Sequence, residues 1–197
     1  MFNIYSCNAF RSLLKATILV CSIALPFAAS AGFISINGST LGDPTWNRLI
    51  AGNPPTGVSG VGTAVAYDVI LFQVDVSTTY DFLSTANNPA SWDNYLFLYQ
   101  DSFDSLNQLT NVIIGNDDFP VIGLSGFNGV ALSAGVNYYV VTSGFGNTDA
   151  GDFTLNISSN LGTAFIPNVN AVSAPSTLAI FGLALFGTGM LRRRKNV

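Results

Sequence analysis

From Tyr67 to Ser77 the chain alternates, with Ile70, Phe72, Val74 and Val76 on one side and Val69, Leu71, Gln73 and Asp75 on the other. A period of two is the spacing of a half-buried β-strand. Tyr80-Asp81-Phe82-Leu83-Ser84 continues the alternation. Between Asn94 and Tyr99, Tyr95, Phe97 and Tyr99 oppose Leu96 and Leu98, which predicts a strand covered on both faces. Asn111–Ile114 and Val130–Leu132 are short apolar runs, Val136–Thr142 is a longer one, and Phe153, Leu155 and Ile157 alternate with Thr154, Asn156 and Ser158. Turn compositions separate them: Asn87-Asn88-Pro89, Asn116-Asp117-Asp118, Ser125 to Gly129, Ala134-Gly135 and Gly144 to Gly151. Asn53 to Gly62 reads as a loop and Phe165 to Ser173 as a linker. Closely spaced strands without a helical period predict an all-β sandwich over residues 32–165.

The two ends follow another pattern. Arg11 and Lys15 precede an apolar stretch, Ala16 to Ala29, shorter than the ~20 residues that span a bilayer. Ala29-Ser30-Ala31 then supplies small residues at the right offset, so residues 1–31 read as a signal peptide cleaved after Ala31. Both cysteines, Cys7 and Cys21, belong to this leader, which leaves the rest without a thiol. At the other end, a linker and sorting motif (166–175) leads into an apolar run, 176–191, and a basic tail, 192–197. Four consecutive cations, Arg192, Arg193, Arg194 and Lys195, mark a transmembrane segment with a cytoplasmic stop.

The sequence Val172-Ser173-Ala174-Pro175-Ser176-Thr177-Leu178-Ala179, the apolar run spaced by Gly182, Gly187 and Gly189, and the Arg-Arg-Arg-Lys end resemble a PEP-CTERM sorting signal. Ser173-Ala174 stand where that motif has its first Pro and its Glu; Pro175 is retained, and Ala174, Pro175, Arg192, Arg193 and Arg194 are the candidate sorting residues. The resemblance implies export by the secretion machinery, a transient membrane anchor, removal of the tail by an exosortase-type protease, and delivery to the cell surface or extracellular matrix.

Charge sharpens the picture. Outside the two ends there is one cation, Arg48, against eleven aspartates from Asp43 to Asp152, a net charge of −10. Such a body cannot neutralise a phosphate backbone, so nucleic acid is excluded as a partner. The chain has no histidine and no glutamate, which removes the commonest general bases and any Ser-His-Asp triad. No enzyme is expected.

Phe72-Gln73-Val74, Trp92-Asp93-Asn94-Tyr95-Leu96-Phe97-Leu98-Tyr99, Asn116-Asp117-Asp118, Leu132-Ser133-Ala134-Gly135-Val136-Asn137-Tyr138-Tyr139 and Gly151-Asp152-Phe153-Thr154-Leu155 occur in this order. Together they resemble the bacterial pre-peptidase C-terminal domain, which implies a jelly-roll-like β-sandwich and a pattern that can accompany calcium.

Calcium is the candidate cofactor, because it takes six to eight oxygen ligands and needs neither His nor Cys. Two groups of residues could supply them. The first combines Asp93 with Asp117 and Asp118, with Asp101 or Asp104 as further candidates. Asn147-x-Asp149-x-Gly151-Asp152 alternates oxygen ligands but lacks the downstream Glu of an EF-hand. Against both stands the ordinary use of Asp and Asn in turns. Adjacent carboxylates such as Asp117 and Asp118 would diverge if extended. Trp46, Trp92, Tyr95, Tyr99, Tyr138 and Tyr139 are expected in the core, with an exposed sugar-stacking aromatic as the alternative. The expectation is an exported, non-enzymatic surface or extracellular-matrix protein with a structural or adhesive role; the alternative is a calcium-dependent carbohydrate-binding module with extracellular polysaccharide as partner.

Overall fold

A computed structural model describes residues 31–167. Ten strands follow one another: β1 (Gly32–Ser39), β2 (Thr45–Trp46), β3 (Val65–Val74), β4 (Thr78–Asn88), β5 (Asn94–Gln100), β6 (Val112–Asn116), β7 (Leu124–Leu132), β8 (Tyr138–Gly144), β9 (Asp152–Ser159) and β10 (Ala164–Phe165). Among the described residues there is no helix, so the described region is all-β. The strands form two sheets, ordered β1-β9-β4-β7 and β10-β3-β8-β5-β6, with the short β2 also paired to β3. Every pairing is antiparallel.

The inward residues of the two sheets make the main core. Phe72 and Val74 of β3, Leu96 and Leu98 of β5 and Tyr138 and Val140 of β8 meet Tyr80 and Phe82 of β4, Phe127 of β7 and Phe153, Leu155 and Ile157 of β9. Each such side chain, fully buried, contributes roughly 1.5–3 kcal/mol of transfer free energy. A second core lies on the other face of the larger sheet. Here Val65 of β3, Tyr95, Phe97 and Tyr99 of β5 and Val141 of β8 cluster with Trp46 and Leu49 from the segment before β3. Phe103, from the segment after β5, packs edge-on against Trp46, Tyr67 and Tyr99. The long excursion between β1 and β3 thus works as a lid on the sheet. That explains why both alternating faces of β5 are apolar.

Several boundaries differ from the sequence reading. Ser125 to Gly129 is not a turn but part of β7. Gly126 sits where a Cβ would lie 2.3 Å from the Phe82 carbonyl oxygen, and Gly129 takes φ +68° beside the register shift between Tyr80 and Phe82. Glycine there serves a bulged strand. Asn87 and Asn88 close β4 rather than open a turn, and the Asn87 amide donates to Thr154 Oγ1 at 2.7 Å. The strand expected over Tyr67–Ser77 ends at Val74 as β3, because Asp75 and Val76 are drawn off the ladder. Asp75 Oδ1 accepts from the Thr163 N–H, and the Val76 carbonyl accepts from the Tyr80 hydroxyl. Phe165 pairs with Gln73 in β10, so the linker begins after it.

Candidate metal centre

Antiparallel order determines which residues meet. β5 lies between β6 and β8, so the start of β5, the end of β6 and the end of β8 share one end of the sandwich. The register pairs Leu96 with Asn116 and Asn94 with Gly144. Asp93 immediately precedes β5, Asp117 and Asp118 immediately follow β6, and the loop carrying Asp149 follows β8. One carboxylate oxygen from each of Asp93, Asp117 and Asp118 lies within 4.8 Å of the other two. Asp117 and Asp118 do not diverge, because the chain bends after Asn116 instead of staying extended.

Buried polar groups hold this end in place. Asn94 donates through Nδ2 to the carbonyl and hydroxyl oxygens of Ser84, tying β5 to β4 across the core. The Ser125 hydroxyl lies between the carbonyls of Asn94 and Asp117, placed to donate its one proton to either. Ser84, Asn94 and Ser125 are all buried. The Phe145 N–H donates to the Asp93 carbonyl at 2.8 Å and fixes the third loop.

The carboxylates are short of partners. Asp93 Oδ1 and Asp117 Oδ1 are shielded from solvent and accept no hydrogen bond. Burial, then the neighbouring Asp93 and Asp118, push the Asp117 carboxyl up to about 6, against a partial opposing pull from Arg48. Asp93 is raised too, by burial first and then by Asp118 and Asp149. Such groups favour a counter-cation or a proton.

Arg48, the single cation of the described region, is part of this end and was not singled out as a site residue by sequence. It is 2% exposed. Its Nε donates to the Phe145 carbonyl at 2.8 Å and its Nη1 to the Leu49 carbonyl at 2.9 Å. The guanidinium lies 4.2 Å from the Tyr95 ring centroid and 4.8 Å from that of Phe145. Its one positive charge faces the carboxylates of Asp93 and Asp117. The sequence signal was its isolation: one cation among eleven aspartates.

The other candidate ligands fall elsewhere. Asp101 and Asp104 lie past the opposite end of β5, and Asp104 closes its own turn with the Leu106 N–H and the Asn107 amide. In the Asn147-to-Asp152 group, the Asn147 and Asp149 side chains have other partners among the described residues. Asn147 bonds Thr63 and Ala64, and Asp149 Oδ2 accepts from the Gly146 N–H at 2.7 Å. Asp149 instead adds its negative charge to the first cluster. Asp152 begins β9, where its carbonyl accepts from Trp92 Nε1. Trp46, Trp92, Tyr95, Tyr99 and Tyr138 are buried, so they build cores rather than a sugar-stacking face.

Residues 171–195 match the PEP-CTERM protein-sorting motif. A comparison with curated proteins finds no match. The motif implies an exported chain with a transient C-terminal membrane anchor that an exosortase processes. Ala174, Pro175, the apolar run 176–191 and Arg192, Arg193 and Arg194 lie outside the described residues, as do residues 1–30 of the expected signal peptide. Among the described residues no helix is long and apolar enough to cross a membrane. Ala31 is exposed and precedes β1, so cleavage after it would leave all ten strands intact.

Proposed function

We propose that this chain is a non-enzymatic, exosortase-processed protein of the cell surface or extracellular matrix, with a structural or adhesive role, whose sandwich takes up calcium after export. The observation that carries the reading is the meeting of Asp93, Asp117 and Asp118, three carboxylates from two loops. Oxygens bound to one calcium ion at 2.3–2.6 Å stand at most about 5 Å apart, so a 4.8 Å cluster suits such an ion. The partnerless oxygens of Asp93 and Asp117 fit the same ligand. A bound divalent ion would supply the counter-charge that Arg48 alone cannot give. Asp93, Asp117 and Asp118 would hold it, with Asp149 adding field from the third loop.

The sorting motif supports the location, and the ordered sandwich motifs support a jelly-roll-like module akin to the pre-peptidase C-terminal domain. A role without catalysis is supported by the makeup of the site, which offers carboxylates and one arginine but no imidazole or thiol. Melting the exported chain in chelator and then in calcium tests the reading. A rise in melting temperature that Asp117→Asn and Asp118→Asn together abolish supports it; an unchanged temperature refutes the metal. Retention of the calcium-loaded chain on an immobilised polysaccharide would select carbohydrate binding over a purely structural role.

A further inference from the structure

We infer that β1 is a homotypic docking edge, through which two copies of this chain join their four-stranded sheets into one continuous eight-stranded sheet. The inference starts from how the four sheet edges are finished. In the larger sheet, the outer side of β3 is occupied in turn by β2 and β10, each two residues long. At the other end of that sheet β6 has five residues, a register shift against β5, and at Gly115 reciprocal backbone bonds with Gly52. In the smaller sheet β7 is bulged and kinked at Gly129, and the carbonyl of its first residue, Leu124, accepts from the Phe119 N–H. Those three edges are short, bulged or capped, which are the usual ways of preventing edge-to-edge pairing.

β1 has none of these protections. It runs eight residues in unbroken register with β9, from Gly32↔Ser159 to Ser39↔Asp152. Among the described residues it pairs with β9 alone. Its sequence, Gly-Phe-Ile-Ser-Ile-Asn-Gly-Ser, holds no charge, no proline and no bulge, in a body of net charge −10. Of its two glycines, Gly32 is closely abutted by Gly162 and Thr163, and Gly38 by Phe153 of β9 and the Asp68 carboxylate of β3.

The strand is also its own complement. In antiparallel pairing about a two-fold axis through Ser35, Ile34 of one copy faces Ile36 of the other, and Phe33 faces Asn37. Ile34 and Ile36 are only partly buried against the main core, so four isoleucines would extend that core across the junction. Phe33, 64% exposed, would gain a neighbour on the outer face. Such self-matching is what an isologous two-fold contact requires, and strand addition at an open edge is an established recognition mode. An eight-residue edge is narrow compared with a typical interface of about 1,600 Å². Pairing is therefore weak in dilute solution and is favoured by crowding at a surface or in a matrix.

The test uses the full chain in mild detergent, in a Cys7→Ser, Cys21→Ser background. Sedimentation equilibrium at high concentration should show a monomer–dimer equilibrium for the parent and monomer for Ser35→Lys, with equal melting temperatures. Leu106→Lys, which charges an exposed loop residue far from β1 in sequence, should leave the equilibrium unchanged. Oxidised Ser35→Cys should yield a disulfide-linked dimer in high amount. A parent that stays monomeric and a Ser35→Cys variant that does not cross-link would overturn the inference. So would association lost in Leu106→Lys but kept in Ser35→Lys.

Discussion

Asp117 sits where burial and two neighbouring carboxylates oppose its ionisation, and its pKa of about 6 lies above its unfolded value of 3.8. A raised carboxyl pKa means that the folded chain holds the proton more tightly. This contribution to stability is complete below pH 3.8 and fades as pH rises through about 6. In chelator, the denaturant midpoint should therefore be higher at pH 5 than at pH 7.5. With Asp117 only partly buried, solvent screening limits the effect to on the order of 1 kcal/mol. Asp117→Asn should remove the repulsion, flatten this pH dependence and stabilise the ion-free chain near neutrality by a similar amount, measured by urea unfolding. The same substitution should reduce calcium uptake, and for the parent, calcium affinity should fall as pH drops below 6. A midpoint that rises from pH 5 to pH 7.5 in chelator would show that this carboxyl does not govern the site.

At the scale of elements, the metal end depends on how strand ends are stitched together. The Ser125 hydroxyl holds the Asp117 backbone from inside the core. Ser125→Ala removes the buried hydroxyl that lies between the Asn94 and Asp117 carbonyls and can donate to one of them, and should cost about 1–3 kcal/mol. It should also weaken calcium binding severalfold by loosening Asp117, readable by calorimetry; full affinity despite the lost stability would confine Ser125 to a packing role. This part of the site was not legible in sequence, since a serine inside Ser-Gly-Phe-Asn-Gly reads as turn chemistry. What was legible was the alternation of β3, β5 and β9, where a two-residue period survives burial. β1 escaped the sequence reading although Ile34 and Ile36 alternate with Phe33, Ser35 and Asn37, because it adjoins the expected cleavage point. β2 and β10, two residues each, are defined only by pairing with β3 and carry no period of their own. Asp93, Asp117 and Asp118 could be grouped from composition and motif order. Their convergence needed β5 and β6 to pair antiparallel with a bend after Asn116, which no local pattern encodes.

For the whole molecule, the sorting motif, the charge and the sandwich belong together. A body of net charge −10 with one buried arginine resists compaction wherever its carboxylates cluster, and the cluster lies at one end rather than being dispersed. Calcium would neutralise that end, while the uncharged β1 edge lets two acidic bodies approach. Raising the ionic strength should therefore favour pairing, as screening lowers the repulsion between the bodies. The most direct test of the central claim is the melting temperature of the exported chain measured in chelator and in saturating calcium, for the parent and for the Asp117→Asn, Asp118→Asn double variant. At a hundredfold excess over Kd, binding adds about 2.7 kcal/mol, which predicts a rise on the order of 10 °C for the parent and none for the double variant. An unchanged melting temperature in the parent, or an equal rise in both, would contradict the account.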